Sequence, residues 1–307
     1  MRDGTLPVPL DPDDIAPGRA LRMSFARFWS TETGEPREVY DRFVAATPVA
    51  DGVAVTPADG VPGHGIWVRP ADANSEGALL FLHGGGYGLG SADAYAGFVS
   101  QLVALTKVPA FVLDYPLAPE ASLPTALELA VATLRRLRRS HPAVAVVGDS
   151  AGGGLTLATV TEAVRHAGID VAAAAVFSPW TDSGLSGDSV WANAISDPLL
   201  DPEYLRQSAA AYLGDVPADD PRASPLFGAS GDLPPVLIQV GTDEILLDDS
   251  VRYADAVRAA GGPVQLEVYQ GMHHVFQLNV EQLRTARRAV TSAAGFLAAR
   301  LRERISA

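Results

Sequence analysis

The 307-residue sequence contains no cysteine, and this absence excludes several kinds of chemistry. Without a thiol there can be no disulfide, no thiolate nucleophile and no cysteine-ligated metal site. Long apolar runs are missing too: the strongest, Val171–Phe177 (VAAAAVF), is far too short to cross a bilayer. The N-terminal residues, MRDGTLPVPLDPDD, offer no apolar core for a signal peptide. We therefore expect a soluble, cytoplasmic protein.

Positive charge is also scarce. The chain has 23 Lys and Arg residues against 36 Asp and Glu residues, which gives a net charge of −13. An acidic surface repels phosphate groups. We therefore expect neither nucleic acid nor an anionic membrane as a partner.

From residue 78 onward, short apolar runs alternate with segments of helical period. The runs that predict buried strands are 78–83, 109–115, 144–149, 171–177, 235–241 and 264–269. Helices are predicted between them over 127–139 and 152–168, the second ending at a glycine cap, Gly168. Upstream, residues 53–68 predict an antiparallel hairpin. Continuous apolar strands that alternate with helices are typical of the α/β class, with a mostly parallel central sheet and helices on both faces.

Two segments interrupt this alternation. The first fifty residues contain a mixed aromatic and charged stretch, LRMSFARFWS, which favours helices. Residues 181–234 form a long interruption between two strands, with one helix predicted around 203–213. A gap of that length inside a compact fold is usually a lid or a binding segment. Because the sequence contains no internal repeat and no linker, we interpret residues 1–307 as one domain with cap elements from about 1–50 and about 181–234.

The sequence GDSAG, residues 148–152, lies between a predicted strand and an apolar helix. This is the G-x-S-x-G nucleophile elbow in the context that its chemistry requires, because small neighbours let the serine sit on a sharp turn. The helix that follows aims backbone N–H groups at whatever the serine attacks. Ser150 is therefore the candidate nucleophile.

A run of glycines, His83-Gly84-Gly85-Gly86, follows an earlier predicted strand. In folds with this elbow, such a loop supplies N–H groups that stabilise the negative oxygen of a tetrahedral intermediate. A phosphate-binding loop is the competing interpretation. Neither G-x-G-x-x-G nor G-x-x-x-x-G-K-[ST] fits the run, so the sequence favours an oxyanion hole.

A serine nucleophile needs a base, and the chain has six histidines. His83 is interpreted as a support of the glycine loop, and surface positions are predicted for His64, His141 and His166. His273 and His274 follow the last predicted strand, where a loop would return to the carboxyl edge of the sheet. No HExxH motif or cysteine accompanies this pair, so no metal site is predicted.

The acid that orients the base should follow the penultimate predicted strand, because the chain order in this fold is Ser, acid, His. The segment VGTDEILLDDS offers Asp243, Glu244, Asp248 and Asp249. The later two fit the first turn of the next helix, where carboxylates are favourable. Either Asp243 or Glu244 could reach the histidine, but hardly both.

Taken together, these motifs resemble the hormone-sensitive-lipase-like branch of the α/β-hydrolases, called family IV among bacterial lipolytic enzymes. The shared motifs span residue 78 to the C-terminus and are HGGG (83–86), DYPLAPE (114–120), GDSAGG (148–153), SPWTD (178–182) and GMHHVF (271–276). The resemblance implies an α/β-hydrolase fold with a helical cap, Ser150 as the nucleophile and His274 as the base. It implies oxyanion donors at Gly85, Gly86 and Ala151, with Gly84 close by.

Three positions depart from the family pattern. The family's HGF reads His274-Val275-Phe276, so valine stands where glycine is usual. The family's D-x-L-x-D, aligned without gaps, places Glu244 at its first aspartate. We therefore predict Glu244 as the acid, with Asp243 as the alternative that requires a one-residue insertion. Pro116 replaces an arginine that is common in DYRLAPE.

The resemblance implies a serine carboxylesterase that hydrolyses small, short-acyl esters without a cofactor or metal. Alternatives with the same triad are a lactonase and an N- or O-deacetylase. A silent ligand receptor, as in the plant gibberellin receptors, is disfavoured because Ser150, His274 and a carboxylate are all retained. Family members often dimerise through the edge of the last strand, so a homodimer is a further expectation. The candidate apolar liners of the ester pocket are Phe25, Phe28, Trp29, Trp180 and Trp191.

Overall fold

The computed structural model describes residues 4–58, 63–73 and 76–306, and within these ranges nine strands form one sheet. The strands are β1 (Thr5–Val8), β2 (Val53–Pro57), β3 (His64–Pro70), β4 (Ala78–Leu82), β5 (Ala110–Asp114), β6 (Val144–Asp149), β7 (Ala173–Phe177), β8 (Val236–Gly241) and β9 (Val264–Tyr269). The strand order is β1-β9-β8-β7-β6-β4-β5-β3-β2. The antiparallel pairs are β2–β3 and β3–β5, so β3 alone among these nine strands runs against the others. This mostly parallel sheet confirms the predicted α/β class.

Helices cover both faces of the sheet, and each face has its own apolar core. The helices are α1 (Ile15–Thr31), α2 (Pro36–Val44), α3 (Ala92–Thr106), α4 (Thr125–Ser140), α5 (Ser150–Arg165), α6 (Ser189–Ala192), α7 (Pro202–Leu213), α8 (Leu247–Ala259) and α9 (Arg284–Ser306). One core packs α4, α5 and α8 against the sheet, and the other packs α3 and α9. Strands buried on both faces need apolar residues at every position, which explains the continuous runs. No helix in the described ranges is long and apolar enough to span a membrane.

The six predicted strands are all present, with only their ends shifted. The predicted hairpin is the antiparallel pair β2–β3, and residues 59–62 between the two strands lie outside the described residues. The regular part of α5 stops at Arg165, short of the predicted end. Gly168 takes φ 61° in the turn that follows, where the Ile169 N–H donates to the Ala163 carbonyl over 2.8 Å, so a left-handed glycine closes this helix end as predicted.

The N-terminal segment contains a strand that the sequence pattern did not indicate. Its helices α1 and α2 agree with the prediction, but β1 adds a parallel strand beside β9, pairing Thr5 with Leu266 and Val8 with Tyr269. The last strand in the chain is therefore covered by the chain's own N-terminus. Pro7 in β1 has no N–H group, which discourages further pairing at this edge. A homodimer stays a prediction, and its expected surface is occupied by β1.

Beyond α2 the N-terminal segment crosses α3 at very short range. A Cβ atom at Gly97 would lie 1.7 Å from the Thr47 carbonyl oxygen, so only glycine fits. Beside this contact the Ala50 N–H donates to Ser100 Oγ over 2.8 Å. The segment that carries α1 and α2 is thereby tied to the sheet's own helical layer.

We expect Gly97→Ala to lower the free energy of unfolding by about 1–3 kcal/mol, because the added methyl group must displace packed backbone. Gly295 on α9 is a matched control, since a Cβ there meets no atom within 4 Å. Gly295→Ala should raise the free energy of unfolding by about 0.5–1 kcal/mol through helix propensity. Urea unfolding followed by circular dichroism measures both. A Gly97→Ala variant as stable as the wild type would contradict the close approach.

Candidate active site

The residues singled out in the sequence converge at the carboxyl edge of the sheet, where ligands bind in open α/β folds. Ser150 begins α5 directly after β6 and has φ 51°, a left-handed conformation that is costly for a residue with a side chain. Glycines make room for this turn. A Cβ at Gly152 would lie 2.1 Å from the Leu82 carbonyl oxygen, and one at Gly148 would lie 2.4 Å from the Gly152 carbonyl oxygen.

A continuous chain of hydrogen bonds connects Ser150, His274 and Glu244. His274 Nε2 lies 2.9 Å from Ser150 Oγ, and His274 Nδ1 lies 2.6 Å from Glu244 Oε2. The other carboxylate oxygen, Oε1, accepts from Ser178 Oγ over 2.8 Å and from the Gly241 N–H over 2.7 Å. With Nδ1 donating to the carboxylate, the lone pair of Nε2 faces the serine hydroxyl. This arrangement can remove the hydroxyl proton.

Asp243, the other candidate acid, faces away from the histidine. Its Oδ2 accepts from Arg22 Nη2 of α1 over 2.8 Å, and its Oδ1 accepts from Thr242 Oγ1 over 3.0 Å. Arg22 also donates to the Ser196 carbonyl over 2.7 Å. Of the two carboxylates that the sequence left open, Glu244 contacts the imidazole and Asp243 ties α1 to this loop.

Nearby carboxylates control the charge of His274. Burial lowers its pKa, but the hydrogen bond and charge of Glu244 outweigh this effect, with help from the charges of Asp197 and Asp149. The net result is a pKa above the usual 6.5. The imidazolium is therefore stabilised at the point where a proton taken from Ser150 would arrive.

The neighbouring His273 is held neutral. Burial lowers its pKa to about 4, against a smaller opposite effect of its Asn279 hydrogen bond. The ring packs edge-on against Phe25 with the centroids 5.2 Å apart, and its Nε2 lies 2.9 Å from Asn279 Oδ1. His273 thus belongs to the packing of α1 against the loop that carries His274.

The glycine loop lies directly against the nucleophile turn. Gly85 and Gly86, with φ 114° and 60°, border the same cavity as Ser150, and their amides have no protein acceptor within the described part of the chain. Ala151 lies in the first turn of α5, where amides lack intrahelical partners. Gly84 departs from the expectation, because its N–H donates to Asp149 Oδ1 over 2.9 Å and is no longer free for an oxyanion.

Asp149 and His83 hold this loop in place. Asp149 accepts from Gly84 on one oxygen and from Tyr95 OH on the other over 2.9 Å, and burial raises its pKa to about 7. The His83 ring stacks on Tyr115 with the centroids 4.3 Å apart, and Tyr115 OH donates to the His83 carbonyl over 2.7 Å. These contacts agree with the interpretation of His83 as a support of the loop.

Two adjoining cavities reach the site. Ser150, Gly85 and Gly86 border the first cavity, which has a volume of about 230 Å³. None of these three residues borders the second cavity, of about 220 Å³, but His274 borders both. The residues that border both cavities are Phe43, Val44, Leu199, His274, Val275 and Leu278.

Three of the five predicted aromatic liners border a cavity: Phe25, Phe28 and Trp29. The other two do not line either cavity, since Trp180 is buried beside Tyr87 and Trp191 is 71% exposed. The sequence reasoning missed liners on α2 and around α7, namely Tyr40, Phe43, Leu199, Leu200, Tyr204 and Leu205. The i, i+3 spacing of Tyr40 and Phe43 was the one available signal on α2.

Known proteins share this architecture. Residues 79–278 match the profile of a family described by its alpha/beta hydrolase fold. An acetyl-hydrolase of Streptomyces hygroscopicus is 39% identical over 279 residues, covering 88% of this chain and 92% of the relative. An esterase of Acinetobacter venetianus is 32% identical over 266 residues, covering 85% of this chain and 87% of the relative. The crystal structure of an esterase from the bacterial hormone-sensitive lipase family superposes with a TM-score of 0.88 at 33% identity, covering 93% and 98%.

Proton NMR titration of the histidine rings should separate the two neighbours. We expect His274 to titrate above pH 6.5 and His273 near pH 4. Glu244→Gln should lower the pKa of His274, because it removes the charge that raises this pKa. Asp243→Asn is the matched control and should leave it unchanged. An unchanged His274 titration in Glu244→Gln would contradict the assigned contact.

Proposed function

This chain belongs to the α/β-hydrolase family, in its hormone-sensitive-lipase-like branch, and on that premise we propose that this carboxylic ester hydrolase cleaves small, short-acyl esters with Ser150 as its nucleophile. The observation that carries the proposal is the hydrogen-bonded path from Ser150 through His274 to Glu244, with distances of 2.9 and 2.6 Å. A nucleophile and base within reach, and a third group that orients the base, form the pattern of nucleophilic catalysis.

Three observations support a small, uncharged acyl group. The cavity at Ser150, at about 230 Å³, lies below the range of roughly 300–1,000 Å³ that is usual for pockets of drug-sized ligands. The 39% identical relative is named for acetyl hydrolysis. Apolar side chains from α2 and α7 border this cavity, which suits a short hydrocarbon chain better than a charged acid.

In the proposed first step, Ser150 Oγ attacks the ester carbonyl carbon while His274 Nε2 takes the hydroxyl proton. Glu244 holds the ring orientation and stabilises the imidazolium. The carbonyl oxygen becomes negative and accepts hydrogen bonds from the amides of Gly85, Gly86 and Ala151. Each donor of this kind typically contributes about 10²–10³ in rate. When the intermediate collapses, His274 returns its proton to the leaving oxygen and the alcohol departs.

The second half of the reaction frees the acid. Water enters, His274 removes one of its protons, and the resulting nucleophile attacks the acyl-serine carbonyl. The bond to Ser150 Oγ then breaks, and the serine oxygen recovers its proton from His274. Every step uses side chains and amides of this chain, so the proposed reaction requires no metal or cofactor.

We further propose that the N-terminal segment and the insertion over 181–234 act together as the cap of a single domain. Trp29 and Tyr40 come from the first, and Leu199 and Tyr204 come from the second, and all four border the cavity at Ser150. A cover built from both segments would shield the carbonyl from bulk water, and hydrogen bonds to the oxyanion are stronger in such a water-excluded site.

We expect Ser150→Ala to lower kcat for p-nitrophenol release from p-nitrophenyl acetate by about 10⁶-fold, because no acyl-enzyme can form at Ser150. Ser30→Ala, on the exposed face of α1, is the matched control and should retain full activity. A panel that adds lactones, N-acetyl amines and longer p-nitrophenyl esters ranks the alternative substrates. Tight ligand binding without turnover in the wild type would favour a receptor instead.

Replacing the candidate acids one at a time tests the triad. Glu244→Ala should lower kcat by about 10⁴-fold, as loss of the orienting carboxylate does in serine hydrolases. Asp243→Ala removes a partly exposed ion pair with Arg22 and a hydrogen bond from Thr242, neither of which involves His274, and should lower kcat slightly. Steady-state kinetics on p-nitrophenyl butyrate separates the two. An inactive Asp243→Ala beside an active Glu244→Ala would reverse the assignment.

A further inference from the structure

Val275, the residue after His274, has a backbone conformation that its side chain makes costly. Its φ and ψ are 47° and 43°, in the left-handed region. An L-residue with a Cβ is crowded there by its own carbonyl oxygen, and a β-branched residue more so. Glycine adopts the same conformation without this penalty.

The left-handed turn places the Val275 N–H where it can donate a hydrogen bond. The Val275 N–H donates to Ser178 Oγ over 3.1 Å, and the same hydroxyl donates to Glu244 Oε1 over 2.8 Å. The left-handed turn therefore connects the loop of His274 to the carboxylate that orients it. A glycine at 275 would donate the same hydrogen bond, so this contact does not explain the valine side chain.

The position of Val275 suggests what the side chain does. Val275 is only 4% exposed, and it borders both cavities of the site. Ser150, His274 and the oxyanion glycines all border one of these cavities, whereas His274 is the only one of these residues that borders the other. Val275 thus lies at the boundary between the reacting centre and the space beyond the base.

We propose that Val275 is a specificity-determining residue that limits the bulk of the alcohol group of the ester beside His274. The inference rests on the proposed function, in which His274 protonates the leaving oxygen, so the alcohol group must lie on the histidine side of Ser150. A glycine at 275 would open the boundary between the two cavities at that point. Strained backbone persists where the surroundings enforce it, commonly at functional sites.

Two ester series test this assignment. In one, the acetyl group is constant and the alcohol grows from methyl to benzyl to 1-naphthylmethyl. In the other, p-nitrophenol is constant and the acyl chain grows from acetyl to hexanoyl. Val275→Gly should raise the ratio of kcat/KM for 1-naphthylmethyl acetate to kcat/KM for methyl acetate by about tenfold. This is the lower end of the change in substrate discrimination that a small change of pocket size produces. The acyl-chain ratios should stay unchanged.

Val280→Ala is the matched control, because Val280 is an equally buried valine that borders neither cavity. It should leave both series unchanged. Val275→Ala should change the kcat/KM ratios of the alcohol series in the same direction as Val275→Gly, by a smaller factor. If Val275→Gly does not fold, the Val275→Ala ratios test the proposal. Alcohol ratios at wild-type values in the folded variants, or a shift confined to the acyl series, would overturn the proposal.

The melting temperatures supply a second readout. Alanine keeps the cost of the left-handed turn and glycine removes it, so Val275→Gly should melt above Val275→Ala, the reverse of the usual order. An alanine variant that melts higher would contradict the strained turn. If the wild type hydrolyses no ester of either series, the proposed function fails together with this inference. If it hydrolyses them but the alcohol ratios do not move, only the inference about Val275 fails.

Discussion

The left-handed turn at Ser150 requires backbone to approach backbone more closely than side chains allow. At Gly152 the space for a Cβ is taken by the carbonyl oxygens of Leu82 and His83, at 2.1 and 2.3 Å. This contact brings the loop after β4 onto the start of α5. Amides from two distant parts of the chain consequently flank one hydroxyl. The candidate base and acid can act together only because this close approach fixes the Ser150 hydroxyl at the point that the base faces.

Three carboxylates around this point differ in role because they differ in contacts. Glu244 is buried against the imidazole and directs it toward the serine. Asp149 is buried one residue before Ser150 and accepts from the Gly84 amide, so it fixes the glycine loop beside the turn of Ser150. Asp197 accepts from the amides of Leu199 and Ile245, which connects a wall of the cavity to the loop that carries Glu244. All three residues carry a carboxylate, so residue type alone would not distinguish their roles.

The N-terminal segment is coupled to the reacting centre through polar contacts as well as through packing. Tyr40 OH lies 3.0 Å from Tyr95 OH, which in turn donates to Asp149. On the opposite side, Arg22 bridges Asp243 and the Ser196 carbonyl. A displacement of α1 or α2 would therefore shift both the glycine loop and the loop that carries Asp243 and Glu244. The N-terminal helices and the candidate active site are parts of one hydrogen-bonded network.

Local sequence was sufficient for the features that depend on neighbouring residues: the buried strands, the helices between them and the strand–serine–helix turn at Ser150. The alignment also favoured Glu244, although the residues alone left Asp243 open. Only the tertiary structure decided that Asp243 binds Arg22, that the Gly84 amide is taken by Asp149, and that Val275 occupies a left-handed turn between two cavities. Each of these outcomes depends on groups far apart in the chain, and periodicity along a sequence carries no information about which distant group a side chain will meet.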